Sequence, residues 1–178
     1  MLALLVLLLT FVLVLGAMIV FGTKREKPEG ALGETSEEPA HAGLPELAFL
    51  PDRQGGRIAY RRYVCLASKK VAVLVHGTIS DSRSLHALAV DLQSRGVECY
   101  VPDIRGHGAT GRKGDIDYVG QLEADLDDLI QIIRSEHGKK ELVLLGHSGG
   151  GGFCLRFAGS QRGGVFDKYV LLAPMVHH

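Results

Sequence analysis

The 178-residue chain has no net charge to offer a polyanion: 20 lysines and arginines balance 20 aspartates and glutamates. No basic run breaks that balance, and with no tryptophan and only 6% aromatic residues there is no aromatic ladder. The composition therefore points away from nucleic acid and from an acidic partner. Cysteine is scarce as well. Cys65, Cys99 and Cys154 are odd in number and show no C-x-x-C spacing, which excludes a disulfide framework and a structural zinc site. Cys99 falls in an apolar strand-like run and Cys154 in a helical stretch, so both read as buried free thiols. No metal or cofactor is implied, and no internal repeat is present. The length suits one domain, or part of a larger one.

What is present is unevenly spread. Residues 2–22, LALLVLLLTFVLVLGAMIVFG, carry no charge, and about 20 apolar residues is the length that crosses a bilayer as a helix. A cleaved signal peptide would begin with a basic region and have a shorter apolar core. Here Leu2 follows Met1 at once, and the cations Lys24, Arg25 and Lys27 come afterwards. The segment reads as an uncleaved single-pass anchor over 1–23, and the positive-inside rule places the chain beyond it on the cytoplasmic side. Residues 24–45 are rich in Glu, Pro and Gly without a hydrophobic period, and read as a flexible linker containing a solvated His41. The folded part is expected over 46–178.

From Leu47 onward, apolar runs alternate with amphipathic ones. Leu47–Leu50 and Arg57–Val64 read as half-exposed strands, and the apolar, β-branched Val71–Val75 as a buried one. Ser84–Arg95 carries a helical stripe stopped by Gly96, and Val97–Val101 is the next strand. Tyr118–His137 places Val119, Leu122, Leu126, Leu129, Ile130 and Ile133 on one face, with Asp115 or Asp117 as cap and Gly138 as stop. Leu142–Leu145 is a strand, Gly149–Ala158 a short helix, and Tyr169–Ala173 a final buried strand before Pro174. Such alternation gives a doubly wound, mostly parallel α/β sheet with helices on both faces. In such sheets the reacting groups sit beyond the carboxyl ends of the strands, where His76, Asp103 and Ser148 all fall.

Gly146-His147-Ser148-Gly149-Gly150 is a Gly-x-Ser-x-Gly placed between a strand and a helix. That placement lifts one serine hydroxyl above a sheet, and the flanking glycines are needed because the chain on either side of the corner comes too close for side chains. Together with His76-Gly77-Thr78 after Val75 and the turn Pro102-Asp103-Ile104-Arg105-Gly106-His107-Gly108, this elbow resembles the α/β-hydrolases of the esterase, lysophospholipase and serine-aminopeptidase-like group. The resemblance covers Leu47 to the C-terminus. It implies Ser148 as the nucleophile of an acyl-enzyme mechanism, with the backbone N–H groups of Thr78 and Gly149 as the oxyanion hole. His76, Gly77, Gly146, His147 and Gly150 would support them. His76 would order its loop by hydrogen bonding, and His147 would point away from the serine. It also implies that the 102–108 turn is a structural corner, with Asp103 and Arg105 in local hydrogen bonds and His107 without a catalytic role. His86 and His137 read as surface or packing residues, and Asp125, Asp127 and Asp128 as a solvated helix face.

The chain departs from that family where the general base belongs. The triad order is Ser, then Asp or Glu, then His, yet beyond the nucleophile's helix the sequence offers only Asp167, before the last strand, and His177 and His178 at its end. The expectation is an N-terminal part of a hydrolase domain, truncated after about the sixth strand. Its activity would be hydrolysis of a carboxylic ester, with a lipid or lysophospholipid as substrate and the membrane as a partner through residues 2–22. Two alternatives stand beside it: an amidase or peptidase of the same fold, and an inactive membrane-tethered module. Oligomeric state is not legible.

Overall fold

The structure, a computed structural model, describes residues 42–176. The expected anchor, the linker up to His41, and His177 and His178 lie outside the described residues. Among the described residues no helix is long and apolar enough to cross a membrane.

Six strands form one mixed sheet. They are β1 (Leu47–Pro51), β2 (Arg57–Tyr63), β3 (Lys70–Val75), β4 (Val97–Pro102), β5 (Glu141–His147) and β6 (Lys168–Leu172), in the spatial order β1-β2-β4-β3-β5-β6. The first two strands alternate in burial and are joined by a tight turn in which the Asp52 carboxylate accepts from the Gln54 and Gly56 amides. They add antiparallel to β4, while β3, β4, β5 and β6 run parallel. Pairing of Val75 with Gly146, and of Gly146 with Leu171, brings the carboxyl ends of the parallel strands to one rim.

Two apolar layers explain why the central strands are apolar on both faces. Val71, Val73 and Val75 of β3 point into a cluster with Leu126, Leu129, Ile130 and Ile133 of helix α2 (Gln121–His137) and with Cys154 and Phe157 of helix α3 (Gly149–Ala158). Ala72 and Leu74 point the other way, toward Leu85 and Ala89 around helix α1 (His86–Ser94). Cys99 and Cys154 are fully buried, in agreement with the sequence, and burial pushes both thiols up to about 12. Cys65 is only partly covered. Strand β6 differs from expectation. Its side chains alternate, with Val170 and Leu172 each 37% exposed, because the second cluster draws on β2 to β5 and contains no residue of β6.

Three local readings change. The stripe at 84–95 divides into a 3₁₀ turn, Ser82–Leu85, capped by the Asp81 carboxylate, and then α1. Helix α2 starts at Gln121 rather than Tyr118, and neither Asp115 nor Asp117 caps it in the usual way. The buried Gln121 side chain instead accepts from the Asp117 amide and donates to the Asp117 carboxylate, at 2.7 and 2.9 Å. Val119 consequently stands in the preceding turn, 92% exposed, instead of on the apolar stripe. Asp125 is not on a solvated face. It is buried against Arg105, whose Nε and Nη2 donate to its two oxygens at 2.8 and 2.7 Å.

Candidate active site

At the end of β5 the chain turns into α3 through Ser148, which has φ 53° and ψ −120°. A non-glycine residue in that region costs of order 1–3 kcal/mol and persists only where its surroundings impose it. The surroundings here are backbone. The Ser148 amide donates to the Leu172 carbonyl at 3.0 Å, and its carbonyl accepts from the Met175 and Gly152 amides at 2.9 and 3.2 Å. The segment after β6 thus folds over the corner, itself passing through Ala173 at φ 43°.

The glycine spacing follows from contact. A Cβ on Gly146 would lie 2.3 Å from the Gly150 carbonyl oxygen, and one on Gly150 would lie 2.4 Å from the carbonyl oxygens of both Val75 and His76. Cβ atoms never come that close to backbone, so elbow and β3 can meet only where side chains are missing. The run continues to Gly151 and Gly152 because Pro174 and the Met175 carbonyl press on the first turn of α3.

Opposite the elbow lies the loop after β3. An ideal Cβ on Gly77 would stand 3.3 Å from the Ser148 Cβ, and one on Gly149 would stand 3.4 Å from the Thr78 nitrogen. Gly149 opens α3, where amides have no intrahelical acceptor. Thr78, in that loop, and Gly149, in the first turn of α3, are thus neighbours beside Ser148. His147 is exposed, with its ring beside Gly77. Thr78 and Ile79 are exposed too, Ile79 at 99%, so packing does not fix this loop.

Hydrogen bonds fix it. The buried His76 ring accepts from the Ile104 amide through Nε2 at 3.0 Å, which leaves Nδ1 protonated to donate to the Gly77 carbonyl at 2.8 Å. Burial holds this imidazole below its ordinary pKa, with His107 nearby acting in the same direction. Ser80 Oγ donates to the same Gly77 carbonyl at 3.0 Å.

The 103–110 corner closes the third side. Asp103 accepts from the Ser82 and Ala109 amides, as a local structural residue should. Arg105 reaches far beyond its turn, bonding Asp52 at 2.7 Å as well as Asp125. Those carboxylates hold the guanidinium well above its usual pKa, Asp125 most strongly. Burial pushes Asp52 up, but the Arg105 bond and the two turn amides outweigh it and leave it low; at Asp125 burial wins over the guanidinium and the carboxyl is raised. His107 sits at the edge of this corner with Nε2 2.6 Å from the Thr78 carbonyl oxygen. The sequence carried no sign of these reaches, which span 20 to 53 residues.

The remaining candidates are elsewhere. His86 is buried under Tyr63, and His137 bonds the Tyr100 hydroxyl at the end of α2. Asp167 exchanges bonds with the backbone of Leu142, where β5 begins, at the opposite end of the sheet from Ser148. Among the described residues no cluster could hold a metal ion.

Two hollows meet at Thr78, Leu122, Gly149 and Phe153. One, of about 310 Å³, runs past Ile104 and Ile116; the other, of about 530 Å³, runs past Leu155, Met175 and Val176 to Arg156. Both fall in the size range of small-molecule sites.

The sequence profile of the family described as serine aminopeptidase, S33, matches residues 67–178. A monoacylglycerol lipase of Mycolicibacterium smegmatis is 31% identical over 108 residues, 60% of this chain and 38% of that protein. The chain spans about two fifths of the length of the curated relatives it matches. Among solved structures, an alpha/beta hydrolase, GrgF from Penicillium sp. sh18, superposes with TM-score 0.63 at 21% identity, covering 72% of this chain and 45% of that one. A soluble variant of monoglyceride lipase from Saccharomyces cerevisiae, in complex with a substrate analog, gives 0.62 at 24% identity, covering 75% and 45%. These likenesses show the α/β-hydrolase fold.

Proposed function

The chain belongs to the serine aminopeptidase S33 family, and from that premise we propose that it is the nucleophile-bearing part of a serine hydrolase that cleaves carboxylic esters. The observation that carries this reading is Ser148 at φ 53° on the strand-to-helix corner, where the loop of Gly77 and Thr78 packs against Ser148 and Gly149, and the Thr78 and Gly149 amides are taken as its oxyanion donors. Ser148 Oγ attacks the ester carbonyl carbon, the C–O π pair moves to the oxygen, and the two amides stabilise that oxyanion. Expulsion of the alcohol leaves an acyl-enzyme that water hydrolyses. The serine proton needs a general base. In this fold the acid and histidine come after the nucleophile in the chain, and the described residues beyond Ser148 include Asp167 as the sole acid and no histidine.

A lipid ester, of the monoacylglycerol or lysophospholipid kind, suits the site. The M. smegmatis relative supports it, as do the exposed Ile116, Met175 and Val176 lining the hollows. Residues 2–22 are proposed to anchor the chain in a membrane with the folded part on the cytoplasmic side, which would keep the site near its substrate. A second reading, hydrolysis of an amide or peptide, is favoured by the family's description.

A fluorophosphonate probe tests the core of the reading. Labelling of the full chain that Ser148→Ala abolishes is the expected result, and a chain that never labels is an inactive module. Rates on a monoacylglycerol and on an aminoacyl-anilide then separate ester from amide chemistry. Membrane pelleting with and without residues 2–22 tests the anchor, and equal distribution of the two chains sinks it.

A further inference from the structure

We propose that His107 is a positioning residue for the oxyanion site, holding the Thr78–Ile79 peptide so that the Thr78 N–H stays aimed at the substrate oxygen. The inference rests on the reading of Thr78 as an oxyanion donor. The direction of the Thr78 N–H is set by the peptide plane it shares with the Gly77 carbonyl, and each residue has only two soft dihedrals, one toward each neighbouring plane. His76 and Ser80 pin the first plane through the Gly77 carbonyl. His107 pins the second through the Thr78 carbonyl, at 2.6 Å from Nε2. With both planes held, neither dihedral of Thr78 is free. Exposure of Thr78 and Ile79 removes packing as the alternative restraint.

His107 can act this way because its own position is over-determined. Its amide donates to the Ile104 carbonyl at 2.8 Å and its carbonyl accepts from the Thr110 amide at 3.0 Å. Beneath it, Arg105 is fastened to Asp52 and Asp125, and Thr110 Oγ1 accepts from the Ala59 amide on β2. The ring packs edge-on against His76, with centroids 5.4 Å apart, so the two imidazoles that hold successive carbonyls also hold each other. Nδ1 lies 3.2 Å from the Arg105 carbonyl oxygen. A neutral ring donates to only one of these two carbonyls, and the shorter contact is the one to Thr78.

The donor position separates two conservative variants. In His107→Gln the amide nitrogen falls near the place of Nε2 and reaches Thr78; in His107→Asn it falls near Nδ1 and does not. The readout is the ¹⁵N order parameter of the Thr78 and Ile79 amides in the full chain, together with the rate of fluorophosphonate labelling. His107→Asn is expected to drop the order parameters from about 0.85 to below about 0.6, leave Gly149 unchanged and slow labelling about tenfold, while His107→Gln keeps wild-type values. Should His107→Asn not fold, His107→Phe retains a ring without a donor and is expected to show the same loss. Order parameters in the loss variant equal to wild type overturn the proposal, as does equal loosening in His107→Gln. If the loop loosens as expected but no chain labels, wild type included, the positioning role stands and the nucleophile reading fails.

Discussion

The elbow at Ser148 and the loop at His76–Ser80 face each other across the same site, yet their backbones are held by opposite means. The elbow is held sterically: glycines at 146 and 150 let main chain press on main chain at distances no side chain permits, and its hydrogen bonds run between backbone groups. The loop is held by side-chain hydrogen bonds to its carbonyls, from its own His76 and Ser80 and from His107 in the corner after β4. A sterically held turn has one arrangement that fits and tolerates a strained φ. A hydrogen-bonded, exposed loop is as rigid as its donors are, and its rigidity can be lost without unfolding the sheet.

The difference predicts that the loop can be broken from a distance and the elbow only from within. Arg105→Met should do the former. It leaves Asp52 and Asp125 buried without their shared cation, and removing one partner of a buried charge cluster costs about 3–5 kcal/mol. The urea midpoint should fall accordingly, with the Thr78 and Ile79 amides loosening while the variant remains folded; a midpoint within error of wild type would show that the corner does not depend on this cluster. Gly150→Ala should do the latter. One methyl placed 2.4 Å from two carbonyl oxygens forces the backbone apart at about 3 kcal/mol, measurable by thermal unfolding. Full stability in this variant would refute the steric account.

Acid sharpens the contrast. His76 titrates below its ordinary value of 6.5 in the folded chain because burial disfavours its cation, and a proton on Nε2 would confront the Ile104 N–H that this nitrogen accepts. As pH falls through 6.5 the unfolded chain takes up a proton that the folded chain refuses, so stability is lost between that value and the lower folded one. The slope is at most about 1.4 kcal/mol per pH unit per group. His137 is shifted the same way by its own burial, so urea midpoints against pH are needed for wild type, His76→Gln and His137→Gln. The slope should flatten in His76→Gln, and an unchanged slope would assign it to His137 instead. The elbow's contacts are amides and carbonyls, which do not titrate. Smallest is the effect of Ser148→Gly, which relieves φ 53° and should raise stability by about 1 kcal/mol while abolishing labelling. A loss of stability would mean that the corner is not strained.

The same contrast explains what could be read in advance. Val71–Val75, Val97–Val101 and Leu142–Leu145 announce buried parallel strands by composition, and the spacing Gly146-x-Ser148-x-Gly150 announces the elbow, because steric exclusion leaves its trace at the excluded positions. The start of α2 escapes such rules because no side chain caps it: Gly120 stands at the N-cap, and the Gln121 side chain ties the helix back to Asp117 instead, which helix-start patterns do not consider. Asp125 beside Asp127 and Asp128 looks like a solvated face, since charge on a helix usually means that, and only its contact with Arg105 shows it to be buried.

By itself, then, the sequence determined the α/β alternation, the rim where His76, Asp103 and Ser148 gather, and the glycines of the elbow. Period, β-branching and missing side chains are local properties that a chain cannot conceal. Tertiary structure alone decided which carbonyls His76 and His107 hold, what Arg105 joins, and that Val170 and Leu172 of β6 are uncovered among the described residues. Hydrogen bonds between residues 20 to 53 positions apart depend on where the sheet sets its strand ends, and no local pattern encodes that distance.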